Sequence, residues 1–435
     1  MLNVLITPTP ALIRNDNGIG RIVHAQYAHL PRLGIQLVDR PEQADIIACH
    51  IEGRDLPRID VLHVHGLYWV DIPHERYMGW HHEANRRVSA SARRAHTITV
   101  PSAWVGHAFA RDMRLEPVVI PHGLDLAQWE PAEHKGYTLW NKNRDSDTCA
   151  IAPVLALADA GISVVSTFGP TKHPHLIVTG TQPHDRMREL IRHAAVYLAT
   201  TPETFGIGTL EAMACGVPVL GYDWCGTADL VQHQVNGFLV TPGDTEGLRR
   251  GHAYVLEHRA RLGAAARLTA QRYGWDALMQ RYADLYYATA DAIRSETHRV
   301  SVVVTNYNYA AHLPAAIASV IDHAEEVIVV DDGSTDDSLD RLAPFADRIS
   351  VISQPNQGVA AARNNGIAAA TGEYIVCLDA DDTLDPRYLQ VCRDALRADR
   401  SLGIAYTGLG LIQENGAISP AAFPPAFDWA IQAQP

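Results

Sequence analysis

The chain of 435 residues is too long for one ordinary hydrophobic core, and at ~100–200 residues per domain it holds two to four domains, three of which separate by pattern. With 47% hydrophobic and 20% charged residues it is too apolar for disorder, and no apolar run approaches the ~18–20 residues of a membrane helix. A net charge of -13 excludes nucleic acid or a broadly anionic membrane face as the main partner, because both require dense positive surface.

The opening MLNVLITPTP has neither a basic region nor a small-residue cleavage site, so a cytoplasmic protein is expected. Short β-branched runs then alternate with helical patterns, as in parallel sheets wrapped by helices, and the expected class is α/β. A first block, residues 1–134, has strands at 2–6, 44–48, 61–64, 97–100 and 118–120. A second, residues 135–294, has strands at 137–140, 164–167, 176–179, 196–199 and 217–221, then a helical stretch over 245–294 broken at Gly274-Trp275. After the polar linker Ser295-Glu296-Thr297-His298, a third block, residues 299–435, has strands at 300–304, 326–330 and 374–378. Arg86, Arg87, Arg93 and Arg94 share one predicted helix, which reads either as a solvated face or as a peripheral contact with phospholipid at the inner face of a membrane. Six cysteines without a C-x-x-C pair are expected to be reduced thiols.

Asn15-Asp16-Asn17-Gly18-Ile19-Gly20 follows the first strand, and its glycines either form a turn or let the backbone approach a ligand at the strand's carboxyl end. The sharpest local signal is Thr201-Pro202-Glu203-Thr204-Phe205-Gly206-Ile207-Gly208-Thr209-Leu210-Glu211, followed by Ala212-Met213-Ala214-Cys215-Gly216-Val217-Pro218-Val219. Pro202 and the glycines force a loop after the strand at 196–199, and a short helix starts near Thr209. Free N–H groups at a helix start, approached through glycines, suit an anionic or hydroxyl-rich ligand. Glu203 and Glu211 read either as loop and dipole complements or as two carboxylates facing one cleft, each able to accept two sugar hydroxyls.

This stretch resembles the donor motif of glycosyltransferase family 4, where two glutamates eight positions apart flank a Phe-Gly-x-Gly loop. Further matches extend the resemblance over roughly residues 1–292: Gly18-Ile19-Gly20, His65-Gly66, the run Val118-Val119-Ile120-Pro121-His122-Gly123-Leu124-Asp125 against V-I-P-N-G-V-D, and the turn Asn236-Gly237-Phe238-Leu239-Val240. It implies a GT-B fold of two Rossmann-like domains, a nucleotide-sugar donor, a glycan or lipid-linked saccharide acceptor, retention of anomeric configuration and no metal. Glu203 is then expected to hold the donor sugar and Glu211 the ribose, with Gly18, Gly20, Phe205, Gly206, Ile207 and Gly208 near sugar and diphosphate. His65 is expected near the reacting carbon, with a buried core histidine as the other reading. The family's basic phosphate clamp is irregular here, and Lys142 and Arg144 are its two candidates.

In the third block, Thr305-Asn306-Tyr307-Asn308, Asp331-Asp332-Gly333-Ser334 and Asp379-Ala380-Asp381-Asp382 each close or follow a strand, and the run from Asn356-Gln357-Gly358 to Ala362-Arg363-Asn364 lies between the last two. Alternate carboxylates past a strand can hold Mg²⁺ or Mn²⁺ while diphosphate oxygens complete its shell. The segment resembles the nucleotide-binding part of glycosyltransferase family 2, of GT-A fold. That implies base and ribose recognition by Asp331 and Asp332, nucleotide contact by Arg363, and metal binding by Asp379 and Asp381. Only 54 residues follow Asp381, and no general base for inverting transfer is recognisable among them. The expectation is a fragment of a longer bifunctional enzyme of bacterial surface glycan synthesis. Rival readings are a third block that binds nucleotide without catalysis, a non-catalytic nucleotide-sugar-binding scaffold, and a GT-B nucleotide-sugar epimerase.

Overall fold

The computed structural model describes residues 1–13, 18–66, 79–141, 149–295, 298–400, 402–407, 410–412 and 418–420. The chain forms two compact units, Met1–Asp291 and Ala292–Pro435. Lys142 and Arg144 lie outside the described residues.

The first unit has two lobes, each built on a six-stranded parallel sheet. The first sheet comprises β1 (Leu2–Thr7), β2 (Ile35–Val38), β3 (Ile46–His50), β4 (Ile59–His63), β5 (Ala95–Val100) and β6 (Val118–Val119), in the order β2-β1-β3-β4-β5-β6. β3 and β4 are buried at every position, which is why they read as apolar runs and not as alternating ones. The second sheet comprises β7 (Thr138–Trp140), β8 (Val164–Ser166), β9 (Leu176–Val178), β10 (Val196–Ala199), β11 (Val219–Tyr222) and β12 (Gly237–Val240), in the order β12-β11-β10-β7-β8-β9. In both sheets the strand order reverses next to the first strand, and ligands bind at such switch points in open α/β sheets.

The chain crosses between the lobes twice, and the crossings pair. Leu124 N–H donates to the Tyr273 carbonyl (2.9 Å), and Trp275 N–H donates to the Leu124 carbonyl (3.3 Å). A Cβ on Gly123 would stand 2.5 Å from the Trp275 ring, so the crossing requires a residue without a side chain. The helix Trp275–Ser295, which follows the second sheet in sequence, packs back on the first lobe: Tyr286 meets Gln26 and His63, and the Tyr287 hydroxyl donates to the Gly34 carbonyl (3.0 Å). The expected single break in this helical region is accompanied by another at His258, between the helices Thr245–Glu257 and Arg259–Ala270.

The second unit holds a four-stranded parallel sheet of β13 (Val300–Asn306), β14 (Glu326–Asp331), β15 (Ser350–Ser353) and β16 (Tyr374–Asp379), in the order β15-β14-β13-β16. The α/β expectation holds throughout. Among the described residues five strands escaped the sequence reading: β2, β15, β12, whose residues read as a turn, and the antiparallel pair β17 (Gly410–Ile412) and β18 (Ile418–Pro420). All six cysteines are free thiols. Among the described residues no helix is long and apolar enough to cross a membrane.

Candidate functional site

The loop after β10 turns into the helix Ile207–Ala214 through Gly206, whose φ of +95° is a left-handed value that glycine adopts without strain. The helix Cys225–Leu230 lies directly against this loop: Gly226 N–H donates to the Glu203 carbonyl (2.8 Å), and a Cβ on Gly226 would stand 2.5 Å from Phe205 Cα. Sequence reading missed Gly226, because nothing local announces which backbone comes close. Gly226→Ala is expected to destabilise the first unit near the top of the ~1–3 kcal/mol range for overpacking, since the obstructing atoms are backbone. A lowered unfolding midpoint is the readout, and an unchanged one would mean that the loop yields freely.

Gly18, Arg21, His122, Asn141, His184, Glu203, Phe205, Gly206, Ile207, Gly208 and Glu211 line one cleft of about 560 Å³ between the lobes. Gly18 begins the helix Gly18–His29, and a Cβ there would reach within 2.9 Å of Ile207 Cδ1, so the starts of two helices from opposite lobes meet across the cleft. Gly20 is buried in the same helix. Glu211 is 4% exposed and ion-paired with Arg21, whose other nitrogen lies 3.0 Å from His184 Nδ1. Arg21 therefore ties the first lobe to two elements of the second. Sequence reading quoted it beside the glycines but gave it no role. Burial, and then the charges of Arg21 and Arg188, hold the His184 imidazole below its usual pKa.

His65 is half-buried and belongs to a chain of imidazoles at the carboxyl ends of β3, β4 and β6. His50 Nδ1 lies 2.7 Å from His65 Nε2, His65 Nδ1 lies 3.2 Å from His122 Nε2, and His50 Nε2 lies 2.8 Å from Gln26 Oε1. His63 completes the cluster through Thr99 (2.7 Å) and Tyr286 (2.8 Å). Burial pushes His63 and His65 down to about 3, and burial reinforced by neighbouring histidines holds His50 and His122 well below the ordinary value. Thr204, from the loop after β10, donates to the His65 carbonyl (2.7 Å), so the cluster and the loop are directly joined.

In the second unit the polar residues at the strand ends bond to one another. Asn306 Nδ2 donates to Asp331 (2.8 Å), which also accepts from the Ser334 hydroxyl (2.6 Å). Asp332 accepts from Gln354 Nε2 (2.7 Å) and from the N–H groups of Gln357 (2.9 Å) and Gly358 (2.8 Å). Burial raises the Asp332 carboxyl, but the hydrogen bonds from Gln357, Gln354 and Gly358 outweigh it and hold it below the usual range. Arg363, expected on nucleotide, and Asp379, expected on metal, pair with each other at 2.6 and 2.8 Å, and Thr305 donates to Asp379 (3.0 Å). Asp381 is exposed, and Asp382 is raised by partial burial and by the charges of Asp381 and Asp379. Among the described residues no group of three or more His, Cys, Asp or Glu side chains is gathered to hold a metal. Crowded, mutually repelling carboxylates nevertheless suit a hard cation that takes one or two of them and completes its shell with phosphate oxygens.

Residues 172–270 match the family model described as Glycosyl transferases group 1, and residues 301–424 match that described as Glycosyl transferase family 2. The chain carries two glycosyltransferase domains. The group 1 match contains Glu203, Gly206 and Glu211, and the family 2 match contains Asp331, Asp332, Arg363, Asp379 and Asp381. Sucrose-phosphate synthase from Thermosynechococcus elongatus superposes with a TM-score of 0.55 at 15% identity, over 67% of this chain and all of that one, which shows the shared GT-B fold. An uncharacterized glycosyltransferase of Nostoc sp. is 42% identical over 115 residues, 25% of this chain and 36% of the relative. Chondroitin synthase of Escherichia coli is 34% identical over 149 residues, 32% of this chain and 22% of the relative. The glycosyltransferase chain thus spans about a third or less of the length of these two curated relatives.

The arginines of the helix Gly79–Arg94 are engaged locally. Arg86 pairs with Glu83, Arg87 with Glu52 and Glu83, and Arg94 donates to the carbonyls of Gly53 and Leu56.

Proposed function

We propose that the first unit transfers a sugar, with retention, from a nucleotide-sugar donor to a glycan or lipid-linked saccharide. The observation that carries this reading is the convergence of Glu203, the Gly206–Gly208 helix start and the Arg21–Glu211 pair on one cleft between two lobes. The N–H groups at that helix start face the charge that builds on the leaving diphosphate, and a helix start is a fixed, preorganised site for such charge. Glu203 accepts hydroxyls of the donor sugar while the anomeric carbon gains oxocarbenium character. Glu211, oriented by Arg21, accepts the ribose hydroxyls. Lys142 or Arg144 supplies further positive charge to the diphosphate, and His65 borders the reacting sugar.

In the second unit, Asp331 and Asp332 receive base and ribose, Arg363 the nucleotide, and Asp379 with Asp381 would hold Mg²⁺ or Mn²⁺. The cation would offset diphosphate charge when bound there. Three domains, at 1–134, 135–294 and 299–435, organise this chemistry into two transferase parts. A role in bacterial surface polysaccharide synthesis at the inner face of the membrane fits the company of its relatives, one of which is named a putative teichuronic acid biosynthesis glycosyltransferase.

Release of nucleoside diphosphate from a panel of nucleotide sugars, measured with EDTA or Mn²⁺ and with or without simple saccharide acceptors, tests the reading. Turnover is expected to persist in EDTA and in Asp381→Ala, with the product keeping the donor's anomeric configuration by NMR. Turnover lost in both conditions would move the activity to the second unit. A chain that binds no nucleotide sugar would end the proposal.

A further inference from the structure

The imidazole chain fixes more than a buried scaffold. Gln26 Oε1 can only accept, so His50 Nε2 carries the proton and donates to it, which leaves His50 Nδ1 a bare acceptor. His65 Nε2–H then donates to His50, and His122 Nε2–H donates to His65 Nδ1. Burial keeps all three rings neutral, so the end of the chain is settled: His122 Nδ1 bears a lone pair. That nitrogen is buried and has no hydrogen-bond partner among the described residues, and the His122 side chain, 6% exposed, lines the cleft. Its ring stands 5.1 Å from that of Phe205, in the loop between Glu203 and Gly206. A buried polar atom left unpaired is costly and rare, and in a cleft wall it marks a place where a ligand atom completes the pairing.

We infer that His122 Nδ1 accepts a hydrogen bond from a hydroxyl of the donor's sugar ring, and so helps to select which sugar the first unit takes. The inference rests on the proposed transfer reaction and deepens it. A neutral imidazole acceptor suits a hydroxyl and offers nothing to a diphosphate, whose oxygens are acceptors too. The Phe205 loop, packed on the imidazole and held against Gly226, puts ring and glycine helix start on the wall of one cleft. Position 122 is also where the resembled motif carries asparagine, so a side chain of different shape and hydrogen-bonding capacity stands here.

Calorimetric titration of the whole chain with the free nucleoside diphosphate and with the matching nucleotide sugar separates the contributions. His122→Leu should weaken the nucleotide sugar roughly ten- to a hundredfold while leaving the free diphosphate within about twofold, because the sugar's hydroxyl is then left without its partner. His122→Asn, which keeps an acceptor, should recover part of the loss and shift the ranking among sugars of the panel. Unchanged affinity for both ligands in His122→Leu would overturn the inference. An equal loss for both would overturn it too, assigning His122 to the fold. Failure of the parent chain to bind either ligand would instead strike the transfer reading.

Discussion

Glu203→Gln is expected to lower nucleotide-sugar turnover in the first unit by about 10²–10³-fold, with KM for the donor changed far less. The substitution keeps the shape of the side chain and removes its charge. The main chain at Glu203 is held from outside the side chain, by Gly226 N–H at 2.8 Å, so the loop and its glycine helix start stay in place. What changes is the field at the anomeric carbon, where positive charge appears only as the transition state is reached, and an interaction made only there lowers kcat. Turnover within a factor of three of the parent would remove Glu203 from the chemistry. An unchanged unfolding midpoint shows that the loss is not one of folding.

Acidification from pH 7 to pH 5 should destabilise the first unit by several kcal/mol. His63 and His65 sit at about 3 in the folded chain against about 6.5 when unfolded, so below pH 6.5 the unfolded chain takes up protons that the folded one refuses. Stability is full above that value and falls with pH toward 3, by about 1.4 kcal/mol per unit for each histidine, which for the pair is about 4 kcal/mol between pH 6.5 and 5. His50 and His122 add to the same side. Denaturant unfolding at half-unit steps of pH reads the slope, and His63→Gln should flatten it. A stability flat from pH 7 to pH 5 would contradict the buried neutral cluster.

The loop after β10 was legible because everything that shapes it is local: a buried strand, Pro202, two glycines and a short helix stopped by Gly216. The two carboxylate-bearing strand ends of the second unit, those of β14 and β16, were legible for the same reason. The edge strands were harder. β2 has four residues behind a glycine, and β15, at the sheet's edge, is largely exposed, so neither shows the apolar run that marks a central strand. Partnerships across long stretches of chain were out of reach. Nothing near Arg21 points to Glu211, 190 residues on, and nothing in the D-x-D spacing tells that Asp379 holds Arg363. The histidines sat in plain view at strand ends, but only the sheet order makes β3 and β4 neighbours and turns His50, His63 and His65 into one cluster.

The return helix has a consequence for how the protein is made. Gln26 and His63 rely on Tyr286, which lies 260 and 223 residues further along the chain. A ribosome releasing the protein would emit the whole first lobe and then the whole second before the residues that seal the first have left its exit tunnel. Until then the polar interior of the first lobe has no Tyr286 hydroxyl, and contacts of such long range form slowly. The second lobe can fold in that interval as a continuous stretch, whereas a first lobe expressed without residues 275–291 would lack part of its own wall. The lobe that is written first is the one completed last.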